Sequence, residues 1–183
     1  YKNVQNQLVS VDTDERIGAT FVDEIAQFEE SNTSILRCGD STKLHEHIPE
    51  KTVDFVITDP PYYDSIHYSE LANFFYVWMK EFCPDIDFFA RETIDSTKEA
   101  IVNKGHNKGA KEYTDLMAGV FSSCHKVLKD NGKLIFTFHH KKVEAWWTIA
   151  ESLSRAGFCV VDTFSVESEY KVNPHIRDKE TLD

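Results

Sequence analysis

The sequence predicts an α/β fold in which parallel strands are joined by helices. Short apolar runs rich in β-branched and aromatic residues alternate along the chain with stretches whose apolar residues recur at helical spacing. The chain has 183 residues, of which 41% are hydrophobic, so it has the length of one domain and enough apolar side chains for a core. We therefore expect a single globular unit.

The first part of the chain is predicted to contain a helix and two strands. Residues 1–33 form a polar lead-in, in which apolar residues at helical spacing predict a helix from about Asp14 to Glu30. The runs ILRCGD (35–40) and VDFVITD (53–59) then predict strands that each end in an acidic residue. Because both runs are largely apolar, we expect them in a sheet that is covered on both faces.

Three helices and two further strands are predicted downstream. Ser69 is the expected N-cap of a helix with an apolar stripe that ends near CPD, residues 83–85. A second helix follows from about Tyr113 and stops at DNG, residues 130–132. The remaining elements are the strand KLIFTFHH (133–140), the helix EAWWTIAESLSRA (144–156) and the strand FCVVDTFSV (158–166).

Between the first two of these helices, residues 84–111 are predicted to form a long irregular loop, and such loops are usually functional or disordered. The net charge of −11 argues against binding nucleic acid through bulk electrostatics, so any such contact must be local. Lysines surround His106 in this loop, which is the main basic stretch of the chain: Lys98, Lys104, Lys108 and Lys111. A mobile solvated loop and a phosphate-contacting loop are equally compatible with this pattern.

Composition also bears on cellular setting. No stretch resembles a signal peptide and the longest apolar runs have the length of strands, so we expect a cytoplasmic protein with no membrane segment. The first residue is Tyr1, which indicates a processed or excerpted chain. The four cysteines are scattered, with no CxxC pair and no histidine at metal-ligand spacing, so reduced, mostly buried thiols and no metal site are expected.

Polar residues follow three of the predicted strands at their carboxyl ends. These are Asp40, the segment Asp59–Tyr62, and the pair His139 and His140. In parallel α/β sheets ligands bind beyond this edge, so the three groups indicate a site. Turn residues also cluster at strand ends for structural reasons, and position alone does not decide between the two interpretations.

The sequence DPPY, residues 59–62, has the chemistry to hold a flat ligand that carries an NH2 group. Pro60 and Pro61 predict a stiff turn whose carbonyls are free to accept hydrogen bonds, and Asp59 adds a carboxylate acceptor. Tyr62 adds an aromatic ring on which a base can stack. Adenine and cytosine are such ligands. A strand that simply ends in a rigid proline turn is the alternative.

The segment GDSTKLHEHIPEKTVDFVITDPPY resembles the region around the DPPY motif of amino-group methyltransferases. YSELANFFYVWMK, HKVLKDNGKLIFTFHHKKVEAWW and AGFCVVDTFSVESE are similar to adenine-specific DNA methylases with a DUF1156-type region, so the likeness covers about residues 35–170. It implies a Rossmann-like class I fold, S-adenosylmethionine as cofactor, and DNA as partner. Methyl transfer then goes directly to the amine of a flipped adenine or cytosine, most readily adenine N6, without a metal.

The resemblance also assigns residues and regions. Residues 34–170 correspond to the catalytic region, with 84–111 as a possible target-recognition loop, between the lead-in and a polar tail at 171–183. It implies catalytic roles for Asp59, Pro60, Pro61 and Tyr62, cofactor binding by Asp40, Ser41 and Asp59, and substrate contacts by Tyr63, His67, Tyr68, His139, His140, Lys104 and Lys108. Asp40 as a helix cap, Tyr68 as a helix anchor and structural histidines remain alternatives.

The sequence departs from the family at one point. The glycine-rich cofactor turn of the FxGxG kind is absent, and the sequence contains no GxG. We therefore expect an incomplete sheet, a chain completed by the rest of a longer methyltransferase or by a second subunit, and weak or no binding of S-adenosylmethionine by this chain alone. An RNA or protein amine methyltransferase and a noncatalytic nucleic-acid or partner-binding fragment of the same fold remain alternative functions.

Overall fold

The computed structural model describes residues 7–9, 16–18, 20–25 and 33–166. The chain divides into two compact units, Tyr1–Asp40 and Ser41–Asp183. Within the described part of the chain, none of the helices has the length and apolar character needed to cross a bilayer.

The first unit contains short strands where a helix was expected. Strand β1 (Gln7–Val9) pairs antiparallel with β2 (Arg16–Gly18), and β3 (Thr20–Phe21) pairs in parallel with β4 (Thr33–Ser34). The helix predicted from Asp14 to Glu30 is therefore wrong at 16–18 and 20–21. Glycine is a poor helix former and Thr-Phe-Val favours strands, so local preference outweighs the apolar spacing. Phe28, part of the predicted stripe, lies outside the described residues.

The strand predicted at 35–40 is also wrong. These residues have no regular secondary structure, and only Thr33 and Ser34 just before them pair with another strand. The apolar run consists of Ile35 and Leu36 before Arg37 interrupts it, and Leu36 is 80% exposed. So short a run does not form a strand unless a neighbouring strand hydrogen-bonds to it.

The second unit is a mixed α/β structure, as the sequence predicts. Its elements in chain order are a 3-10 helix (Ser41–Glu46), β5 (Val53–Thr58), α1 (Tyr68–Phe82), 3-10 helices at Asp87–Phe89 and Lys104–His106, α2 (Ala110–Val127), β6 (Leu128–Phe136) and α3 (Val143–Arg155). Strands β5 and β6 are parallel neighbours, with Val56 opposite Leu134 and Thr58 opposite Phe136. Their carboxyl ends therefore lie at the same edge.

Strand β6 begins earlier than expected and includes the DNG sequence. The register shifts where Val53 pairs with Leu128 and Phe55 pairs with Lys133, so the extra residues on β6 form a bulge. A Cβ atom at Gly132 would lie 3.0 Å from the Lys129 carbonyl oxygen and 3.1 Å from that of Asp54. Glycine is required there because two backbone segments approach closely.

Helices α2 and α3 cover one face of the strand pair. The core consists mainly of α2 residues Tyr113, Met117 and Phe121 and α3 residues Ala145, Ile149 and Leu153, against which Leu134, Phe136 and Phe138 pack. The other face carries Phe55, Ile57 and Ile135, which are 60%, 76% and 48% exposed. A sheet covered on both faces was thus a wrong prediction for this strand pair, because among the described residues helices cover one side.

Helix α1 has the predicted apolar stripe, but most of the stripe is exposed. Its exposed side chains include Leu71, Phe74, Phe75, Trp78 and Phe82, whereas Ser69 and Tyr76 are buried. The N-cap is His67 rather than Ser69, and His67 makes no side-chain cap bond. The hydroxyl and N–H of Ser69 instead donate to the carboxylate of Glu99, at 2.6 and 2.9 Å.

Two other predictions are wrong: the strand at 158–166 and the burial of most cysteines. Residues 158–166, predicted as a strand, form none, and Val160, Val161, Phe164 and Val166 are exposed because no described strand pairs with them. The four free cysteines are not mostly buried: Cys124 is buried, Cys83 is half-buried, and Cys38 and Cys159 are exposed.

Candidate active site

The candidate site lies at the carboxyl end of β5, in the turn Asp59–Asp64, which we call the β5 turn. Because β5 and β6 are parallel, the residues that follow β6 reach the same edge. The N–H of Thr137 donates to the carbonyl of Thr58 at 3.3 Å, which extends the ladder by one bond. The pairing therefore brings Thr137 beside Asp59, although 77 intervening residues separate them in the chain.

The Asp59 carboxylate is exposed, and one of its oxygens is held by two hydroxyl groups. Oδ1 accepts hydrogen bonds from the Tyr62 hydroxyl, at 2.6 Å, and from the Thr137 hydroxyl. No described residue donates a hydrogen bond to Oδ2. The bond from Thr137 and then that from Tyr62 lower the pKa of Asp59 below its ordinary value, against a small opposing effect of burial. At neutral pH the group is thus an ionised acceptor with one open oxygen.

The carbonyls of the two prolines differ. Pro61 was expected to keep a free carbonyl, and this is wrong: it accepts from the Tyr113 hydroxyl at 2.7 Å and from the Tyr63 N–H at 3.2 Å. No described residue donates to the carbonyl of Pro60, although Pro60 itself is buried. Backbone carbonyls of buried residues usually have partners. The Pro60 carbonyl is therefore an acceptor without a described donor, in the residue that follows Asp59.

The Tyr62 ring is held by aromatic contacts. It meets Phe138 edge to face, with ring centroids 5.4 Å apart, and Phe138 meets Trp146 in the same way at 5.1 Å. The Trp146 indole N–H donates to the His140 carbonyl at 2.8 Å. Partial burial and the bond to Asp59 raise the pKa of Tyr62, which stays a neutral donor. Tyr68, at the first position of α1, is exposed.

Tyr63 is inside the core behind the turn. Its side chain is 3% exposed and its backbone has a positive φ of 53°, a conformation that bulky residues rarely adopt. The ring meets Tyr113 and His140 at 5.5 and 5.6 Å, and the Tyr63 carbonyl accepts from the Val102 N–H at 2.8 Å. Burial, followed by a bond to Glu144, raises the pKa of Tyr63 to about 12. Tyr63 therefore holds the β5 turn against the core.

The histidine pair has one buried and one exposed member. His140 Nε2 lies 2.9 Å from Asp64 Oδ1, and the Lys142 ammonium is bonded to Asp64 Oδ2. The Lys142 N–H donates to His140 Nδ1 at 3.0 Å, so Nδ1 is an acceptor and the proton lies on Nε2. Burial tends to raise the pKa of Asp64, but the bonds from Lys142 and His140 outweigh it and lower the pKa. His139 is exposed at the same edge.

Residues 84–111 are held against the beginning of α1. Besides the bonds that Ser69 donates to Glu99, the Asn103 side-chain amide donates to Glu70 at 2.8 Å and lies 3.1 Å from His67 Nδ1. Ser96 Oγ and His106 Nδ1 are 3.1 Å apart within the same segment. His67, predicted to contact substrate, is thus part of the junction between this segment and α1.

The two lysines predicted to contact substrate have different environments. The Lys108 ammonium donates to the carbonyls of Ser96 and Thr97, at 2.9 and 3.2 Å, and to that of Glu99. Its burial lowers the pKa of Lys108. A phosphate contact by Lys108 would require these internal bonds to open. Lys104 is exposed on its 3-10 helix, and no described residue accepts a hydrogen bond from its ammonium group.

The residues predicted to bind the cofactor lie next to each other in the chain. Asp40 is the last residue of the first unit and is half-buried, whereas Ser41 is exposed and begins the 3-10 helix Ser41–Glu46. The N–H of His45 in this helix donates to the Ser123 hydroxyl of α2 at 3.1 Å, and His45 Nδ1 lies 2.8 Å from the same oxygen. These bonds fix the short helix on α2, and the roles of Asp40 and Ser41 remain predictions.

Two residues of the site, Thr137 and Tyr113, were not singled out from the sequence, and both hydrogen-bond to the β5 turn. Asp64, expected from the sequence to extend the loop over the target base, connects the turn to His140. The parallel pairing of β5 and β6 is the signal that could have identified Thr137, since the residue after each strand faces the residue after its neighbour. No local pattern marks Tyr113 as more than a core residue.

Comparison with known proteins gives one match. The family model N6_N4_Mtase, described as DNA methylase, matches residues 53–180, a span that begins with β5 and includes the β5 turn, Thr137 and His140. Neither the curated proteins nor the solved structures contain a protein that matches the chain.

Proposed function

The chain belongs to the DNA methylase family, and from this premise we propose that it transfers a methyl group from S-adenosylmethionine to an exocyclic amine of a DNA base, in first place adenine N6. The observation that carries the proposal is the pair of acceptors at the end of β5. One oxygen of the Asp59 carboxylate has no described donor. The carbonyl of the next residue, Pro60, has no described donor either. Two neighbouring acceptors match the two protons of an NH2 group.

The acceptors also supply the chemistry that the amine needs. The lone pair of an exocyclic amine is delocalised into the base ring, so the nitrogen is a poor nucleophile. Hydrogen bonds from its two protons to Asp59 and Pro60 favour a tetrahedral nitrogen whose lone pair points away from them. Electrostatic stabilisation by Asp59 grows as the nitrogen becomes positive, and alignment of the reactants lowers the barrier further. The methyl carbon would bond to the amine nitrogen as its bond to sulfur breaks, the sulfur would leave as a neutral thioether, and one amine proton would pass to solvent by way of the Asp59 carboxylate.

S-adenosylmethionine, when bound, supplies a methyl group on a positively charged sulfur. The ionised state of Asp59, maintained by the Thr137 and Tyr62 hydroxyls, fits a cationic group at this edge. Asp40, Ser41 and Asp59 are the residues that we propose to contact it. Asp40 directly precedes the 3-10 helix that packs on α2, Ser41 is the first residue of that helix, and Asp59 contributes charge from the β5 turn.

A base in duplex DNA must leave the stack to reach the carboxyl end of β5. Unstacking costs a few kcal/mol, and we propose that stacking on Tyr62 offsets part of it. The aromatic contacts of Tyr62 with Phe138 hold the ring before the base arrives. Three exposed residues are available for contacts with the base or the strand: Tyr68, His139 and Lys104. The acidic net charge of −11 restricts phosphate contacts to such local positions.

The test is transfer of labelled methyl from S-adenosylmethionine to mixed-sequence DNA by the full product of the gene. We expect label in N6-methyladenine after digestion of the DNA, and loss of the label in Asp59→Ala. Asp54→Ala is the matched control, because Asp54 is also exposed on β5 but pairs with Lys129. It should retain transfer. Label on RNA or on protein, or label that survives in Asp59→Ala, would contradict the proposal.

A further inference from the structure

We propose that Thr137 is a positioning residue for the reaction, which holds the Asp59 carboxylate so that one oxygen remains for the amine of the target base. The inference rests on the proposed function for its catalytic meaning. The contact between the two side chains is a separate structural statement, and it can be tested without activity.

Apart from the Thr137 hydroxyl, no group of the β5–β6 strand pair holds the Asp59 carboxylate. Rotation about the terminal bond of an aspartate side chain is soft, so an exposed carboxylate does not hold one orientation by itself. Both described donors to Asp59, the hydroxyls of Thr137 and Tyr62, reach the same oxygen. A carboxylate whose Oδ1 carries two such bonds presents Oδ2 in a defined direction.

Thr137 is the better-fixed of the two donors. Its backbone N–H continues the β5–β6 ladder by donating to Thr58, so its Cα is held by the sheet. Threonine is also stiff about its first side-chain bond, because it is branched at Cβ. The Tyr62 hydroxyl also lies 3.1 Å from Thr137 Oγ1, but it has one proton, which it donates to Asp59 at 2.6 Å. Thr137 and Tyr62 are therefore two separate donors that meet at Asp59 Oδ1.

In this arrangement the two oxygens of Asp59 have different tasks: one holds the carboxylate in place, and the other accepts from the amine. Oδ1 is saturated by protein hydroxyls, which keep the group ionised, and Oδ2 is left as an acceptor. Replacing the hydroxyl with a methyl group removes one restraint while keeping the shape of the side chain. The expected consequence is an Asp59 that still binds the base but presents its oxygen in the wrong direction part of the time. Misplacement of a reacting group by as little as about 1 Å can cost roughly a hundredfold in rate.

The experiment compares Thr137→Val, Thr137→Ser and the control Thr52→Val in the full gene product. Thr52 lies before β5, at the other end of the strand pair, and its hydroxyl donates to the Pro49 carbonyl at 2.8 Å. For Thr137→Val we expect kcat to fall by about ten- to a hundredfold, with KM for DNA changed less than about twofold. Thr137→Ser should recover most of kcat, and Thr52→Val should behave as the wild type.

A second readout does not depend on turnover. In a carbon-detected titration of the Asp59 carboxyl, over the acidic range in which the protein stays folded, Thr137→Val should raise the pKa of Asp59 toward its ordinary value. Thr137→Ser should leave the pKa low. Thermal unfolding of the variants, with little change in midpoint, excludes a general loss of structure.

The outcomes separate this inference from the proposed function. An unchanged kcat in Thr137→Val, or a loss that Thr137→Ser does not recover, would overturn the positioning role. If the wild type transfers no methyl to DNA, the proposed function fails, and the titration still decides whether Thr137 holds Asp59. An Asp59 pKa that does not move in Thr137→Val would overturn the contact itself.

Discussion

The β5 turn has two halves with different tasks: a first, open half that consists of Asp59, Pro60 and Tyr62, and a second, anchored half that consists of Pro61, Tyr63 and Asp64. In the first half, Asp59 is exposed and the hydroxyls of Tyr62 and Thr137 are its described hydrogen-bond donors. In the second half, Tyr63 is 3% exposed, packs on Tyr113 and His140, and accepts a backbone bond from the 84–111 segment. The chain therefore secures the turn through one half and presents chemical groups with the other.

The β5 turn is both rigid and reactive because different residues supply the two properties. Every strong tie to the core is made at or after the Pro61 carbonyl, through Tyr113, Tyr63 and Asp64. One oxygen of Asp59 and the Pro60 carbonyl have no described donor as a result. Changes in the anchored half should therefore cost stability, and changes in the open half should cost activity while sparing the fold.

The largest effect on stability is expected for Tyr113→Ala. Tyr113 is fully buried, and its removal leaves a cavity and deletes the bond to the Pro61 carbonyl. Truncation of a large buried aromatic side chain costs about 3–5 kcal/mol in the free energy of unfolding. Tyr113→Phe keeps the ring and should cost only about 1 kcal/mol. Urea unfolding of both variants checks this, and equal losses would mean that the hydroxyl, rather than packing, anchors the turn.

A smaller loss is expected for Asp64→Ala. Removing the carboxylate leaves the buried His140 N–H without its acceptor and frees Lys142. Because Lys142 is nearly half exposed, most of the effect comes from His140, and we expect about 1–2 kcal/mol. Unfolding of Lys142→Met is the comparison and should show a loss of less than about 1 kcal/mol. A larger loss in Lys142→Met than in Asp64→Ala would reverse this assignment.

The same carboxylate predicts a pH dependence. The pKa of Asp64 is lower in the folded chain than its ordinary value of 3.8, since the bonds from Lys142 and His140 outweigh burial. The stabilisation is therefore fully present above the unfolded pKa and is lost as the pH falls through the folded pKa. In Asp64→Asn the loss of stability on acidification should be shallower. Thermal midpoints measured from neutral to acidic pH test this, and parallel curves for both proteins would contradict it.

The smallest effect on stability is expected for Tyr62→Phe in the open half. The hydroxyl is half exposed and its partner Asp59 is exposed, so the free energy of unfolding should change by less than about 0.5 kcal/mol. Because one donor to Asp59 is lost, its pKa should rise while methyl transfer falls. Calorimetric unfolding together with the transfer assay measures both. A stability loss as large as that of Asp64→Ala would remove the distinction between the two halves.

The sequence alone predicts the parts of the second unit whose patterns are local. Periodic apolar residues predicted α1, α2 and α3, and continuous apolar runs predicted β5 and the last four residues of β6. The strands predicted at 35–40 and 158–166 failed, because a strand exists only where another segment pairs with it, and a run of residues does not contain that information. The exposed stripe of α1 shows the same limit, since a periodic pattern predicts a face and not what covers it.

The candidate site divides in the same way. Asp59 could be identified from its position after an apolar strand and before two prolines. Its partner Thr137 depends on the β5–β6 register, and the bond from Tyr113 to Pro61 depends on how α2 packs, so neither follows from a local pattern. The Pro61 carbonyl accepts a hydrogen bond from Tyr113, whereas the Pro60 carbonyl has no described donor. This difference likewise depends on contacts between residues distant in the sequence.

The central claim is that Asp59 and the Pro60 carbonyl receive the amine of a base that has left the DNA stack. The most direct measurement is a crystal structure of the full gene product with S-adenosylhomocysteine and a duplex that carries its methylation site. We expect the amine nitrogen to lie within about 2.7–3.2 Å of Asp59 Oδ2 and of the Pro60 carbonyl oxygen, while Thr137 stays bonded to Oδ1. A target base whose amine meets other acceptors, with Asp59 bonded only to protein groups, would contradict it.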